Sequence, residues 1–532
     1  MKRGTIILTA ICSLIVGSIS GIIIDRSQVA RFAAGVSGRG DKLNATIGLL
    51  EQRYVDSLSR DSLSELVIPL LLGSLDPHSE YIPASQLKEV NEPLEGKFDG
   101  IGVVFNMATD TAQILNVIAG GPSAKVGLTA GDRIMMVDTS HVAGVKLDQT
   151  KMVKMLRGDK GTKVTLYVKR GQNKKLLPFT VTRGQIPINS LEGSMMLPNK
   201  SAYIRLSRFA ASTHAEVMNA IGHLVAQGAT SVTIDLRGNG GGYLDQALYL
   251  ANEFLPKGAM IVYIQGAHKS REEQYADGSG CYQNMPLTVL VDETSASSSE
   301  IFAGAMQDND RARLIGRRTF GKGLIQDQVN YTDGSAARIT IARYYTPLGR
   351  PLQKPYTMGD RASYDKDMLN RYEHGEFSSA DSVRQNDSLK VFLTAGGKKL
   401  YGGGGITPDI FVPIEGKKAS PYFLKLYQAN LVFKFAQQYA DRYRAAINAI
   451  NDFQALDRFF VDKGALYNEF VDFASREGVK PSASEMAADR KLITAQLKAF
   501  VSRNTPLQES AFYYYIWPFD PAIVLSNESE KK

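Results

Sequence analysis

The sequence predicts a multidomain chain of mixed α+β and α/β class: a β-rich unit and an α/β core between helical N-terminal and C-terminal regions. Three observations carry this. At ~100–200 residues per domain, the 532 residues make about three to five domains. The apolar spacing changes along the chain, from helical near the N-terminus, to alternation by two, and back to helical at the end. Between them, strand, Gly- or Ser-rich loop and helix recur, the pattern that places function at strand ends.

The elements follow in order. Met1-Lys2-Arg3 precedes 20 uncharged residues, Thr5 to Ile24. At ~1.5 Å per residue that stretch reaches ~30 Å, enough to cross a bilayer. The positive flank puts the N-terminus inside and the rest outside the cytoplasm. No A-x-A site is seen, so residues 1–24 read as an anchor in preference to a cleaved signal segment. Residues 25–90 form a helical region in which Leu43, Ile47, Leu50, Leu63, Leu66 and Leu70 recur at helical spacing. Leu75-Asp76-Pro77-His78-Ser79 ends it with a turn in which His78 bonds a backbone group. Residues 91–184 form the β-rich unit, with a strand from Gly100-Ile101-Gly102-Val103 and another at 164–168. Residues 185–412 form the α/β core, carrying a polar surface insertion at about 354–402. Residues 413–532 return to helices through Phe423, Leu426, Leu431, Phe433 and Phe435, then Leu492, Ile493, Leu497 and Phe500.

Composition narrows the function classes. With 44% hydrophobic and 22% charged residues, the chain can bury ordinary cores. A net charge of +8 spread over this length, without a basic stripe, argues against nucleic acid as a partner. Cys12 and Cys281 make neither a disulfide framework nor C-x-x-C metal spacing.

Three motifs could carry chemistry. Gly238-Asn239-Gly240-Gly241-Gly242 follows a strand and precedes a helix, where backbone N–H groups could cradle a phosphate or an oxyanion. A dinucleotide fingerprint fails because Tyr243 stands where the last glycine is required. Residues 316–322 match the start of a P-loop, but Gly323 replaces the metal-binding Ser or Thr and a strand pattern follows. Ser295-Ala296-Ser297-Ser298-Ser299-Glu300 sits at a strand-to-helix step, which suits helix capping or a nucleophile. No His lies in a nucleophile setting and G-x-S-x-G is absent, leaving Lys322 as the candidate base once desolvated.

In these motifs the chain resembles the carboxy-terminal processing peptidases, or tail-specific proteases. The resemblance covers roughly residues 45–412. It rests on 75–79, on the segment from Gly100, on Pro122-Ser123-Ala124 through Gly131-Asp132, on 235–242 and on 295–305. Phe320-Gly321-Lys322-Gly323, Tyr344–Arg350 and Gly405–Asp409 complete it. It implies a β-rich PDZ domain plus a ββα-type peptidase core, and a serine endopeptidase with a Ser-Lys dyad acting through an acyl-enzyme. Ser297 maps to the nucleophile, Lys322 to the base and Gln326 to the residue that orients it. Gly242 and Ser298 map to the oxyanion hole, with Ser298 standing where relatives usually have Ala. Gly100, Ile101, Gly102 and Val103 map to the loop that binds a substrate C-terminus, and Arg157 to a coupler between PDZ domain and dyad. No cofactor and no metal are implied. The implied partners are proteins or peptides with free apolar C-termini, the inner membrane, and a second copy or an adaptor. A periplasmic location follows. The rival reading is a catalytically silent PDZ-type scaffold.

Overall fold

The computed structural model describes residues 47–528, apart from positions 49, 52–53, 96, 108–109, 119, 172, 174, 385–389, 415–419 and 481. The expected anchor at residues 5–24 and Leu43 lie outside the described residues. Among the described residues no helix is long and apolar enough to cross a membrane.

Helix α1 (Arg60–Gly73) starts at Ser59, whose side chain accepts the Ser62 N–H, and leads through the Asp76 turn into β1 (Glu80–Ile82). The helical stripe expected here through Leu66 and Leu70 is not the buried one. Leu71 and Leu72 are buried, whereas Leu66 and Leu70 are exposed. The end of α1 is tied to the core through β1, so that anchor decides which side faces inward.

The β-rich unit follows α2 (Ala84–Glu95). It comprises β2 (Lys97–Gly100), β3 (Val103–Asn106), β4 (Ala112–Val117), α3 (Pro122–Lys125), β5 (Arg133–Val137) and β6 (Ser140–His141). Helix α4 (Gln149–Leu156), β7 (Lys163–Lys169), β8 (Leu177–Thr182) and β9 (Gly184–Pro187) complete it. The sheet runs β3-β4-β5-β7-β8, with β6 on β5, and β2 pairs with β9. Alternation along β7 buries Val164, Leu166 and Val168 against Ile114, Ile134 and Met152. Strand β3 is an edge of this sheet.

The core begins with β10 (Leu191–Met196), β11 (Ser201–Leu206), α5 (Thr213–Ala226), β12 (Ser231–Asp235) and α6 (Leu244–Phe254). It continues with β13 (Met260–Gln265), β14 (Glu272–Tyr275), β15 (Leu287–Val291), α7 (Ser298–Asp308), β16 (Arg313–Gly316), β17 (Leu324–Asn330) and β18 (Ala336–Tyr345). After α8 (Arg361–Glu373) and α9 (Ala380–Arg384), the hairpin β19 (Val391–Leu393) and β20 (Lys399–Tyr401) leads to β21 (Ile410–Phe411). The main sheet is β10-β11-β12-β15-β16-β21, parallel except between β10 and β11. A second sheet, β1-β18-β13-β14 with β17 on β18, carries the strand after Lys322.

Successive side chains of a strand face opposite ways. Ile204, Val289 and Leu314 therefore pack in one core with α5, α6 and α7, while Tyr203, Leu290 and Ile315 face a second core. That second face is covered by the C-terminal region, through Ala522 and Ile523. This region comprises α10 (Pro421–Gln428), α11 (Leu431–Arg442), α12 (Arg444–Asn448), α13 (Phe453–Lys463), α14 (Leu466–Arg476), α15 (Ala483–Ser502), α16 (Gln508–Ile516) and α17 (Pro521–Asn527). Leu426, Phe435, Tyr439, Phe470, Ile493 and Leu497 form its own apolar core. Arg133 of β5 pairs with Asp441 of α11 at 2.5 Å, joining the β-rich unit to it.

The polar segment at 354–402 is not simply a surface insertion. Tyr364, Arg371 and Phe377 are buried, and Lys354 is buried with its Nζ 2.7 Å from Asp367 and over the Phe320 and Tyr364 rings. Its charges are paired or stacked, which lets a polar stretch pack inward.

Candidate active site

The site is built where β12 and β15 end. Leu236–Tyr243 links β12 to α6, and Asp292–Ser297 links β15 to α7. Asp292 Oδ1 accepts the Gly238 N–H, Ser295 Oγ donates to Leu236 O, and Asn239 O accepts both the Ala296 N–H and Ser299 Oγ. The two loops are thus laced into one unit. Residues 317–323 run from β16 into strand β17 with no helix following, so no P-loop forms there.

Ser297 sits at the N-terminus of the fully buried helix α7 with φ +55°, a conformation that costs a non-glycine residue of order 1–3 kcal/mol. The residue remains partly exposed. Gly242 has φ +145°, and a Cβ there would fall 2.0 Å from Phe209 O, so no other residue fits. Ser298 Oγ donates to Gly242 O at 2.8 Å, which gives its extra hydroxyl a partner. The N–H groups of Ser298 and Gly242 donate to no acceptor among the described residues. Two unbonded amides thus flank the serine, at the positive end of a helix dipole.

Glu300 ties the serine to the lysine. Its Oε2 accepts the Ser297 N–H at 2.9 Å and the Lys322 N–H at 2.8 Å. Both backbone nitrogens therefore lie one hydrogen bond from the same atom. Oε1 accepts the Gly321 N–H at 2.7 Å and the Thr319 hydroxyl at 2.5 Å. Burial pushes Glu300 up to about 7, against the pull of these four donors. No role for Glu300 was read from the sequence, although the Ser-x-x-Glu spacing of a capping box is a signal for it.

Lys322 is partly buried between glycines. A Cβ on Gly323 would fall 2.5 Å from the Gln353 nitrogen, so the backbone of 352–353 packs directly on the lysine loop. Burial lowers Lys322 from the ordinary lysine range; Glu80 and Glu300 oppose this and Arg338 adds to it. Gln326 does not bond Lys322 here. Its amide donates to the carbonyl of His78, whose own N–H is held by Asp76 Oδ1 at 2.9 Å. The His78 ring bonds Tyr364 Oη at 3.0 Å, a side chain in place of the expected backbone group. Burial, with the Lys322 charge next, lowers His78 to about 4 and keeps it neutral.

In the β-rich unit, Gly100 ends β2, Ile101 and Gly102 form the turn, and Val103 opens β3. The N–H groups of Ile101 and Gly102 donate to no acceptor among the described residues. Arg157 caps the end of α4, its guanidinium 4.5 Å above Phe98 and its Cγ beside Gly100. It packs next to this loop.

The site thus joins a partly exposed serine with unbonded amides beside it and a desolvated lysine through one carboxylate, and a separate sheet has an open edge. Comparison with known proteins gives the class. Residues 200–361 match the model of Peptidase family S41, residues 100–181 match the PDZ domain, and residues 422–505 match a family of unknown function. A probable CtpA-like serine protease of Staphylococcus epidermidis is 34% identical over 311 residues, 58% of this chain and 62% of the relative, so the match takes in less than two thirds of that protein. A probable CtpA-like serine protease of Staphylococcus aureus is 30% identical over 404 residues, 75% of this chain and 79% of the relative. The solved structure of a photosystem II D1 C-terminal processing protease aligns over 71% of this chain and 88% of its own, at 24% identity and a TM-score of 0.38. The chain belongs to peptidase family S41, the C-terminal processing peptidases.

Proposed function

We propose that this chain is a serine endopeptidase that selects proteins by their free apolar C-termini and cleaves them through a Ser297–Lys322 dyad. The observation that carries the reading is the shared carboxylate: one atom of Glu300 receives the main chain of both residues. Neutral Lys322 takes the proton of Ser297 Oγ, and the oxygen attacks the peptide carbonyl. The N–H groups of Ser298 and Gly242 stabilise the resulting oxyanion. Collapse expels the amine, protonated by Lys322, and leaves an acyl-enzyme. Water then gives its proton to Lys322 and attacks the ester, and collapse breaks the bond to Ser297 Oγ, which takes that proton back as the product leaves. Gln326 acts through His78 and the strand it begins, holding the lysine loop in place.

The PDZ domain takes the substrate C-terminus as an added strand on the open edge of β3. The free amides of Ile101 and Gly102 meet its carboxylate, and Gly100, Val103 and Arg157 frame the pocket. Residues 5–24 tether the enzyme to the inner membrane, with the remainder in the periplasm.

The test is cleavage of an unfolded substrate with an apolar C-terminus, followed across pH. Turnover should rise with pH through two ionisations, Glu300 near 7 and Lys322 below the ordinary lysine value. A profile flat from pH 5 to 10 would exclude a lysine base. Amidating the substrate C-terminus should raise KM about tenfold or more, since it removes the charge that the PDZ amides receive. Equal cleavage of both forms would exclude carboxylate recognition.

A further inference from the structure

We infer that Asp520, which opens the last helix α17, is a positioning residue for the glycine loop at 238–242, acting through Arg237. Residue 520 lies beyond the segments that match the three family models. The inference rests on the proposed dyad reading for its kinetic consequence.

The contact lies behind the active site. Arg237 Nη1 donates to Asp520 at 2.9 Å. Its Nε and Nη2 donate to the two oxygens of Asp235 at 2.9 and 2.6 Å, and its N–H donates to Asp235 Oδ1 at 3.0 Å. Asp235 is fully buried and also accepts Arg205 Nη1 at 2.9 Å and the Tyr203 hydroxyl at 2.7 Å. One buried carboxylate thus faces two guanidinium groups. Glu192 also accepts from Arg205 at 2.8 Å and Asp520 from Arg237, so each guanidinium bridges Asp235 to a second carboxylate. Without Asp520, Arg237 Nη1 would lose its hydrogen-bond acceptor in a largely desolvated site.

That donor belongs to the residue immediately before the loop. Gly238 is bonded to Asp292, Asn239 O to the nucleophile turn, and Gly242 O to Ser298 Oγ. A shift of Arg237 therefore moves the donors around Ser297. The C-terminal helices thus complete the peptidase site as well as covering its sheet.

Asp520 also caps α17, accepting the N–H groups of Ala522 and Ile523 at 3.0 and 3.2 Å. The test must separate the two roles. D520S keeps a capping oxygen but removes the charge and the reach to Arg237. D520E restores the charge. N527A removes another contact of the same helix with the core, Asn527 Oδ1 to the Asn199 N–H, without touching the loop. The full chain of each variant, with wild type and S297A alongside, is followed by hydrogen exchange of the 236–243 segment. The kcat and KM for a short chromogenic peptide and the urea unfolding midpoint are measured as well.

D520S should speed exchange in that segment about tenfold and lower kcat by a similar factor at unchanged KM, with kcat measured below the unfolding transition, whose midpoint falls with loss of the ion pair. D520E should recover most of both, and N527A should show neither. Wild-type exchange in D520S, or equal effects in N527A, would overturn the inference. If wild type shows no turnover dependent on Ser297, the peptidase reading falls, and the exchange measurement still decides the role of Asp520.

Discussion

Replacing either Ser297 or Lys322 with Ala should lower peptide-bond hydrolysis by at least about 10⁴-fold, because groups that act as one unit lose nearly all of its effect when either is removed. Neither substitution should weaken the fold. Ser297 keeps its strained backbone when only the hydroxyl is removed. Lys322 is a desolvated side chain whose removal relieves a cost and leaves no carboxylate orphaned, since Glu300 is satisfied by the Lys322 main-chain N–H and not by its side chain. Urea unfolding of both variants should match or exceed wild type. Turnover in either variant within tenfold of wild type would exclude the dyad.

Replacing Glu300 is expected to damage both activity and fold. Glu300→Ala leaves the N–H groups of Ser297, Gly321 and Lys322 and the Thr319 hydroxyl without their acceptor. With unmet buried donors costing ~1–3 kcal/mol each before relaxation, destabilisation of roughly 3–5 kcal/mol is expected. Glu300→Gln keeps the shape but turns an NH₂ group toward two of the donors. It should cost less stability than Ala, yet lower kcat about 10²-fold or more, because the two loops lose their common point. Wild-type kcat in Glu300→Gln would show that the carboxylate does not position the pair. Chemical unfolding together with kcat measured below the unfolding transition separates the two effects.

Much of the site was legible because its local parts carry local signals. A buried strand, a glycine run and a helix follow one another at 231–254, and a strand, a serine cluster and a helix at 287–308. Their order alone places both loops at strand ends. The lysine between Gly321 and Gly323 reads as tightly packed, and the packing of Gly323 on Gln353 is the reason. Other parts had no local signal. The partner of Gln326 lies 248 positions away, at a carbonyl, which has no sequence identity to read. Leu66 and Leu70 matched a helical stripe, but the tether of α1 to the core turned Leu71 and Leu72 inward instead. The polar insertion looked like surface because buried charges are legible only once their partners are known; Lys354 with Asp367 and Arg371 with Glu376 make that burial tolerable.

By itself the sequence determined the kinds of element, their order and the residue types that chemistry requires, because periodicity, turn residues and capping depend on neighbours a few positions apart. Tertiary structure alone decided that Glu300 joins serine to lysine, that His78 meets Gln326, and that helix α17 covers the second face of the peptidase sheet and pairs with Arg237. Those are pairings across long stretches of chain. They are set by which surfaces close over one another and which buried charges then find a partner, and no repeat along the sequence encodes that.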